Sequence, residues 1–313
     1  MAVEVPPANP LKAVALKVGS VLVFVLMVTV IKITAPDVPA GQQVFFRSFF
    51  AIPVILLWLI LRGESARVLR THRPMGHFYR GFIGTMAMAL GFAGTGLLPL
   101  PEVTAIGYAA PLLTVIFAAM FLGEEVRAFR LAAVGLGLVG VMVVLSPRLS
   151  AVGEGLTTRE QLGAALALMG ACCMSLAQIF VRKLVQEEAA ATIVFWFSVT
   201  STLLALLTLP WGWVMPDLGT AMLLVSLGLL GGTGQILMTS AFRYADASLV
   251  APFEYASMLF ALAIGYLWFA EVPTLTMLAG AALVILAGVL IIWRERRLGL
   301  ERARQRKAMT PQG

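Results

Sequence analysis

A few polar side chains stand inside otherwise apolar stretches of this 313-residue chain. Glu254 lies about six residues into one such stretch, roughly 9 Å along a helix at the usual rise per residue. An unpaired carboxylate at the centre of a bilayer costs about 2.5–3.5 kcal/mol, and less toward the ends, so a partner or a proton must relieve it. Glu254 could bind a proton or a cationic group of a substrate. Alternatively, it could be a structural carboxylate paired near the membrane surface, for example with Arg243.

Arg47 is a second charge in an apolar stretch, in the sequence Val44-Phe45-Phe46-Arg47-Ser48. Its planar guanidinium could bind an anionic substrate group through two parallel hydrogen bonds. The side chain could equally reach the membrane surface or fix its helix to a neighbour. Both interpretations stay open at this point.

Uncharged polar groups complete the set of candidates. Tyrosine and glutamine side chains could supply the few directed groups that an apolar binding pocket needs, although each could also form an interhelical hydrogen bond. The predicted substrate-binding residues are Glu254, Tyr255, Tyr108, Gln178, Gln235 and Arg47.

Catalytic and metal-binding patterns are missing from the sequence. The two histidines, His72 and His77, are predicted to be loop residues without an acidic partner, and the adjacent Cys172 and Cys173 lack metal-ligand spacing. There is no His-Glu-x-x-His segment and no Gly-x-x-x-x-Gly-Lys-Ser/Thr loop. We therefore predict a protein that is not an enzyme, with no catalytic residue, no metal and no cofactor. A membrane-embedded enzyme or a non-transporting receptor remains the alternative of another class.

The elements that must position these side chains are membrane helices. Hydrophobic residues make up 60% of the chain and charged residues 12%, with a mean hydropathy of +0.92. Continuously apolar runs of about 17 to 25 residues are typical of helices that span a bilayer. Ten spans are predicted, near residues 14–33, 44–61, 78–98, 102–122, 131–145, 162–181, 191–209, 220–242, 248–270 and 275–293. The predicted fold class is therefore an all-α polytopic membrane protein.

The positions of the basic residues predict the topology. If both termini are cytoplasmic, only Lys32, Arg47, Arg148 and Arg159 of the 23 Lys and Arg residues fall on the other side. We expect a multi-pass inner-membrane protein with both termini in the cytoplasm and most of its basic residues on that side. Because these residues are dispersed over loops, the net charge of +7 does not indicate nucleic-acid binding.

The chain also repeats itself. A shift of 147 positions without gaps pairs Gly81 with Gly228, Gly84 with Gly231, Tyr108 with Tyr255, Leu112 with Leu259, Glu124 with Glu271 and Leu131 with Leu278. Each half would hold five spans, so equivalent helices must cross the membrane in opposite directions. This inverted repeat is typical of secondary transporters with a substrate site near the midplane. We predict a first five-helix repeat over residues 1–150 and a second, with a basic cytoplasmic tail, over 151–313.

Four of these repeat partners are expected to have a gating or structural role rather than to bind substrate. Glu124 and Glu271 close equivalent helices, while Gly81 and Gly228 remove side chains where helices approach or bend. Simple close packing is the alternative for the glycines.

At these residues the chain resembles the drug/metabolite transporter superfamily, specifically its ten-span EamA-type members. The resemblance rests on the close of the fourth span (Met120-Phe121-Leu122-Gly123-Glu124), that of the ninth (residues 266–271), and Gly280 and Gly288 in the following helix. The first half departs from this glycine spacing, with Gly135, Gly137 and Gly140.

Family membership implies a carrier that moves a small organic metabolite across the bilayer by alternating access, without ATP. Riboflavin-type vitamin uptake is the preferred expectation for the substrate. Amino-acid export or carriage of a metabolite such as S-adenosylmethionine is the alternative within the same fold. Proton coupling through Glu254 is a hypothesis, and a homodimer is left open.

Overall fold

The computed structural model describes residues 10–63, 69–122, 128–150, 158–184, 187–244 and 251–309. Ten membrane helices can be numbered in these residues, in chain order. They are α1 (Pro10–Thr34), α2 (Ala40–Phe49 and Ala51–Leu61), α3 (Pro74–Thr95), α4 (Leu100–Gly107 and Ala109–Leu122), α5 (Ala128–Ser150), α6 (Thr158–Leu184), α7 (Ala190–Leu206), α8 (Leu218–Tyr244), α9 (a 3-10 turn, Ala251–Tyr255, followed by Ala256–Phe269) and α10 (Leu275–Met309).

The ten helices correspond one to one to the ten predicted spans, which confirms the fold class. Within the described residues, six helical stretches are long and apolar enough to cross a membrane: Pro10–Thr34, Ala40–Leu61, Leu100–Phe121, Arg159–Val181, Leu218–Met238 and Leu275–Arg294. Three shorter apolar helices cover Leu131–Ser146, Ala191–Leu206 and Phe253–Phe269.

Several helices are longer than their apolar runs. The first helix begins at Pro10 rather than near Val14, and α10 continues beyond Trp293 to Met309. Hydropathy marks only the part of a helix that lies in hydrocarbon, so polar helical turns outside the bilayer escape it. The predicted boundary between the two repeats, at residues 150 and 151, lies at the edge of the described residues.

Two of the helices are interrupted three residues before a proline. Pro53 has no N–H to donate to the carbonyl of Phe49, and Pro111 has none for the carbonyl of Gly107. The first segment of α2 ends at Phe49, and the first segment of α4 ends at Gly107. The first break lies three residues after Arg47 and the second lies at Tyr108, so both fall at residues that the sequence singled out.

Equivalent helices of the two halves make equivalent packing contacts. α3 lies along α6 and α1 lies along α8, which is the same pair of helices once the halves are exchanged, while α5 lies along its equivalent α10. A Cβ added at Gly140 would lie 2.8 Å from the oxygen of Gly280, and one added at Gly280 would lie 2.6 Å from the oxygen of Gly140. The backbones of α5 and α10 therefore meet at two glycines. The fold is two inverted five-helix repeats packed against each other.

Candidate functional site

Tyr108 and Tyr255, the repeat-equivalent tyrosines, are in direct contact. Their ring centroids are 5.2 Å apart with an interplanar angle of 66°, an edge-to-face arrangement. The Tyr108 hydroxyl lies 2.5 Å from Ser257 Oγ. Because Ser257 donates its own proton to the Glu254 carbonyl oxygen at 2.7 Å, the Tyr108 hydroxyl is the donor to Ser257. The contact joins the two halves of the protein at equivalent positions.

Local helix breaks position both rings. Tyr108 is the residue between the two segments of α4, and Tyr255 ends the 3-10 turn from which the α-helix of α9 begins. The hydroxyl end of Tyr255 lies against Gly288 of α10, where any Cβ would overlap the ring. The two breaks thus bring a pair of aromatic rings to the contact between halves.

Glu254 has a described partner, Lys17 of α1, with which it forms an ion pair. Lys17 is buried, with 4% of its side chain exposed, whereas half of the Glu254 side chain is accessible. The Arg243 side chain, the partner considered from the sequence, lies outside the described residues. We call Lys17, Tyr108, Glu254, Tyr255 and Ser257 the tyrosine cluster.

Arg47 lies elsewhere, beside a second arginine that sequence reasoning missed. The guanidinium carbon of Arg80, on α3, lies 3.7 Å from the centroid of the Phe197 ring, and that of Arg47 lies 5.6 Å from the same centroid. Only 7% of Arg47 and 8% of Phe197 is exposed. Arg47 therefore does not reach the membrane surface. We call Arg47, Arg80 and Phe197 the arginine pair site.

Both missed residues, Lys17 and Arg80, were counted with the cytoplasmic loops. The structure places Lys17 within α1 and Arg80 within α3. A signal was present, because each falls inside a predicted span by that span's own boundaries, residues 14–33 and 78–98. A basic residue inside a span is costly and is therefore a candidate for function, whatever the side of the membrane.

The repeat-partner glycines Gly81 and Gly228 lie at close helix contacts. An added Cβ would collide with Thr200 of α7 at Gly81 and with Phe50, at the α2 break, at Gly228. Both positions therefore require glycine for packing between helices. A gating role for either glycine stays a prediction.

Glu271 joins three parts of the chain. It forms an ion pair with Lys32 of α1, and its carboxylate accepts a hydrogen bond of 2.9 Å from the N–H of Leu100. Lys32 also donates to the Leu98 carbonyl oxygen at 2.6 Å. This geometry fits the structural role expected for Glu271. Its repeat partner Glu124 lies outside the described residues.

The two glutamines lie on helices that carry no member of the tyrosine cluster. Gln178 is exposed on α6, and Gln235 is half-buried on α8. Arg47 belongs to a different hydrophobic environment, the one around Phe197, Val44 and Met27. Of the six predicted substrate-binding residues, Tyr108, Glu254 and Tyr255 lie together, and Arg47 lies in the arginine pair site.

The prediction that His77 is a loop residue without an acidic partner is wrong. It is buried in the first turn of α3, and its Nε2 lies 3.8 Å from Glu188 Oε1. That carboxylate also accepts hydrogen bonds from the Thr71 hydroxyl at 2.7 Å and the His72 N–H at 2.9 Å. The group ties the segment before α3 to the one before α7.

Burial lowers the pKa of His77, and the nearby Glu188 charge only partly offsets that effect. Burial by itself would raise the pKa of Glu188, but hydrogen bonds from Thr71 and His72 together with the His77 charge hold it below its ordinary value. In the part of the chain that the structure describes, no group of three or more His, Cys, Asp or Glu side chains is placed to hold a metal ion.

Comparison with known proteins agrees with this architecture. The sequence profile of the EamA-like transporter family matches residues 11–146 and 161–293, most of both halves. The chain belongs to the EamA-like transporter family. The resemblance to drug/metabolite transporters is thereby confirmed, and the family indicates a transporter rather than an enzyme.

Similar EamA-type proteins have different named substrates. The chain is 28% identical over 256 residues to the S-adenosylmethionine uptake transporter of Rickettsia bellii, covering 82% of this chain and 84% of that protein. It is 28% identical over 276 residues to the pseudopaline exporter of Pseudomonas aeruginosa, covering 88% and 93%. It is 28% identical over 260 residues to the riboflavin transporter of Rhizobium johnstonii, covering 83% of each.

A solved crystal structure shares the fold. It superimposes with a TM-score of 0.65 at 21% sequence identity, covering 91% of this chain and 98% of that chain. At this identity the match supports the ten-helix architecture. It carries no information about the substrate.

Proposed function

We propose that this EamA-type transporter is a secondary carrier that binds one small organic metabolite between its two halves and moves it by alternating access. The observation that carries the proposal is the contact of Tyr108 with Tyr255 at equivalent helix breaks. Broken helices at the interface of inverted repeats are the usual place for a substrate in such carriers. No ATP-binding loop occurs in the sequence, so the driving force is a gradient.

The tyrosine cluster supplies the chemistry of a binding site. It offers two aromatic rings for stacking, a serine hydroxyl, and a carboxylate whose side chain is half accessible. Gln178 and Gln235 are proposed as further contacts in states in which the halves have moved. A mostly apolar site with a few directed polar groups suits a metabolite that carries a ring or an amino group.

Riboflavin remains one candidate substrate, as expected from the sequence. The aromatic rings of the tyrosine cluster could stack on an isoalloxazine ring, and one of the similar proteins is named a riboflavin transporter. S-adenosylmethionine is the second candidate, because another is named for its uptake and a carboxylate such as Glu254 would suit a cationic ligand. Amino acids complete the panel.

Coupling to protons is proposed to run through Glu254. The Glu254 carboxylate is half exposed and forms an ion pair with the buried Lys17, so a change in its charge during a transport cycle would act directly on α1. Protonation of Glu254 would weaken the contact between α1 and α9. That contact therefore couples the charge state to helix position.

The proposed location is the inner membrane, with both termini in the cytoplasm. The support is the distribution of basic residues, of which the α10 extension beyond Trp293 carries many. Reporter fusions after Met309 and after Leu209 would test it. A fusion after Met309 that is active only outside the cytoplasm would refute the orientation.

Uptake into proteoliposomes tests the carrier function. Riboflavin, S-adenosylmethionine and amino acids are offered to sealed vesicles that contain the purified protein, with and without an imposed proton gradient. Saturable flux of one compound above that of protein-free vesicles supports the carrier and gives its substrate class. Flux of no compound in vesicles shown to be sealed would count against it.

A further inference from the structure

Both arginines of the arginine pair site lie within helices, where Arg47 is buried and Arg80 is half-buried. Arg47 is the eighth residue of the Ala40–Leu61 stretch, and Arg80 is the seventh residue of α3. Each is therefore roughly 9–11 Å from the nearer end of its helix. Both guanidiniums face the same ring, Phe197, near the middle of α7.

Neither guanidinium has a counter-ion in the described part of the chain. Arg47 Nε, Arg80 Nε and Arg80 Nη1 are buried without a hydrogen-bond partner. The Oγ of Ser198, the residue after Phe197, is also buried and without a partner. Two unpaired positive charges beside one aromatic ring repel each other, so the arrangement is unfavourable until a negatively charged group joins it.

A glycine packs against each of these arginines, and the two glycines occupy equivalent positions of the two repeats. An added Cβ at Gly231 would lie 3.1 Å from Arg47 Nε and 3.3 Å from Met27 Sδ. An added Cβ at Gly84 would collide with Arg80 Nη1 and lie 2.8 Å from Phe197 Cε2. Gly84 and Gly231 are partners in the 147-residue repeat. The arginine pair site is therefore built against both halves.

A purely structural role accounts poorly for this arrangement. Stacking on Phe197 gives each arginine a favourable contact, but such a contact is weak compared with the loss of hydration of a buried charge. A fork of N–H donors without an acceptor is the geometry that binds a carboxylate or a phosphate.

We propose that Arg47 and Arg80 together bind the anionic group, a carboxylate or a phosphate, of the transported metabolite. This inference rests on the proposed carrier function and narrows its substrate class. Met27 beside the arginines is ten residues from Lys17 along α1, about 15 Å at the helical rise, so this subsite is distinct from the tyrosine cluster. Riboflavin has no ionised group at neutral pH, so it lacks the feature that the pair recognises.

Ligands that differ only in the anionic group provide the test. S-adenosylmethionine is compared with its decarboxylated form and flavin mononucleotide with riboflavin. Glutamate and inorganic phosphate are added as small anions, and phosphatidylglycerol is added as an anionic lipid. Thermal unfolding of the purified protein measures binding, and uptake into proteoliposomes measures transport. Arg47→Gln and Arg80→Gln are compared with Arg62→Gln, which removes an arginine stacked on Trp58 at 4.2 Å, outside the pair.

We expect an anion-bearing ligand to bind roughly tenfold to a hundredfold more tightly than its partner without the anion. This preference should disappear in Arg47→Gln and Arg80→Gln and remain in Arg62→Gln. Without ligand, both glutamine variants should unfold at the wild-type temperature or above it, because each removes an unpaired buried charge.

The outcomes separate this inference from the carrier proposal. Uptake in which matched ligands are equivalent, or in which the preference survives both substitutions, overturns the anion site and leaves the carrier standing. Anion-dependent stabilisation that needs both arginines, with no transport of any compound, overturns the carrier and leaves an anion site. Stabilisation by phosphatidylglycerol alone assigns the pair to a lipid headgroup and overturns the inference, as does the absence of any response to the anions.

Discussion

Tyr108 and Tyr255 occupy the same position in the two halves of the chain, and their rings meet edge to face with centroids 5.2 Å apart. A residue and its repeat partner can touch only near the axis that relates the two halves. The contact therefore lies close to that axis. It also joins α4 to α9, both of which are interrupted at the tyrosine. Helix breaks, aromatic rings and the axis coincide at one place.

The hydrogen bond from Tyr108 to Ser257 should contribute measurably to stability. Tyr108→Phe and Ser257→Ala are each expected to lower the free energy of unfolding by about 1 kcal/mol, as for a typical partly buried hydrogen bond. The double variant should cost little more than either single variant, because both remove the same bond. Equilibrium unfolding in mixed detergent measures these values. Fully additive effects would show that the bond does not form in solution.

Variants of the Lys17–Glu254 pair allow its effect on stability to be measured separately from its effect on proton coupling. Glu254→Gln leaves the buried Lys17 ammonium without its described partner and should cost about 1–3 kcal/mol, less than a fully buried pair because Glu254 is half exposed. The double variant Lys17→Met/Glu254→Gln should recover most of that stability. If Glu254 carries the coupled proton, neither variant should show uptake that responds to a proton gradient.

Uptake measured with and without the gradient is the readout for that prediction. Lys17→Met alone serves as the control, since it keeps the carboxylate and removes the ion pair. A Glu254→Gln protein whose uptake still follows the gradient as the wild type does would contradict proton coupling through this residue.

Gly84→Ala and Gly91→Ala make the same chemical change in the same helix, seven residues apart, with different expected results. An alanine Cβ at Gly84 would meet Arg80 and Phe197, whereas one at Gly91 meets nothing within 4 Å. Gly84→Ala should displace Arg80 from the ring and destabilise the protein by about 1–3 kcal/mol. Gly91→Ala should be neutral or stabilising by up to about 1 kcal/mol through helix propensity. Thermal unfolding compares them directly, and equal effects would argue against the observed packing of α3 on α7.

The His77–Glu188 group predicts a loss of stability in acid. Both groups have a pKa below the ordinary value in the folded protein, so each contributes stability that is present above its unfolded pKa and is lost as pH falls. The loss from His77 should begin as pH falls below about 6.5, and that from Glu188 below about 4.5. Unfolding temperature measured against pH should therefore decline in two steps. His77→Gln should remove the upper step and keep the lower one; an unchanged upper step would assign it to another group.

Much of the architecture could be predicted because each membrane helix is encoded in its own stretch of sequence. A run of apolar residues long enough to cross a bilayer must form its hydrogen bonds within itself, so sequence length and hydropathy predict a helix. The shift that pairs Tyr108 with Tyr255, combined with five spans in each half, likewise determined that the repeats are inverted. The positions of the breaks at Tyr108 and Phe50 follow from Pro111 and Pro53, each three residues further along the chain.

The side-chain partners were decided by the tertiary structure alone. In a soluble protein, the apolar face of a helix shows which side meets the core. A membrane helix is apolar both toward lipid and toward its neighbours, so this signal is missing. The sequence therefore determined the helices, their number and the repeat. It could not show how each helix is rotated, and rotation decides that Glu254 meets Lys17 and that Arg47 and Arg80, from different helices, face one ring of α7.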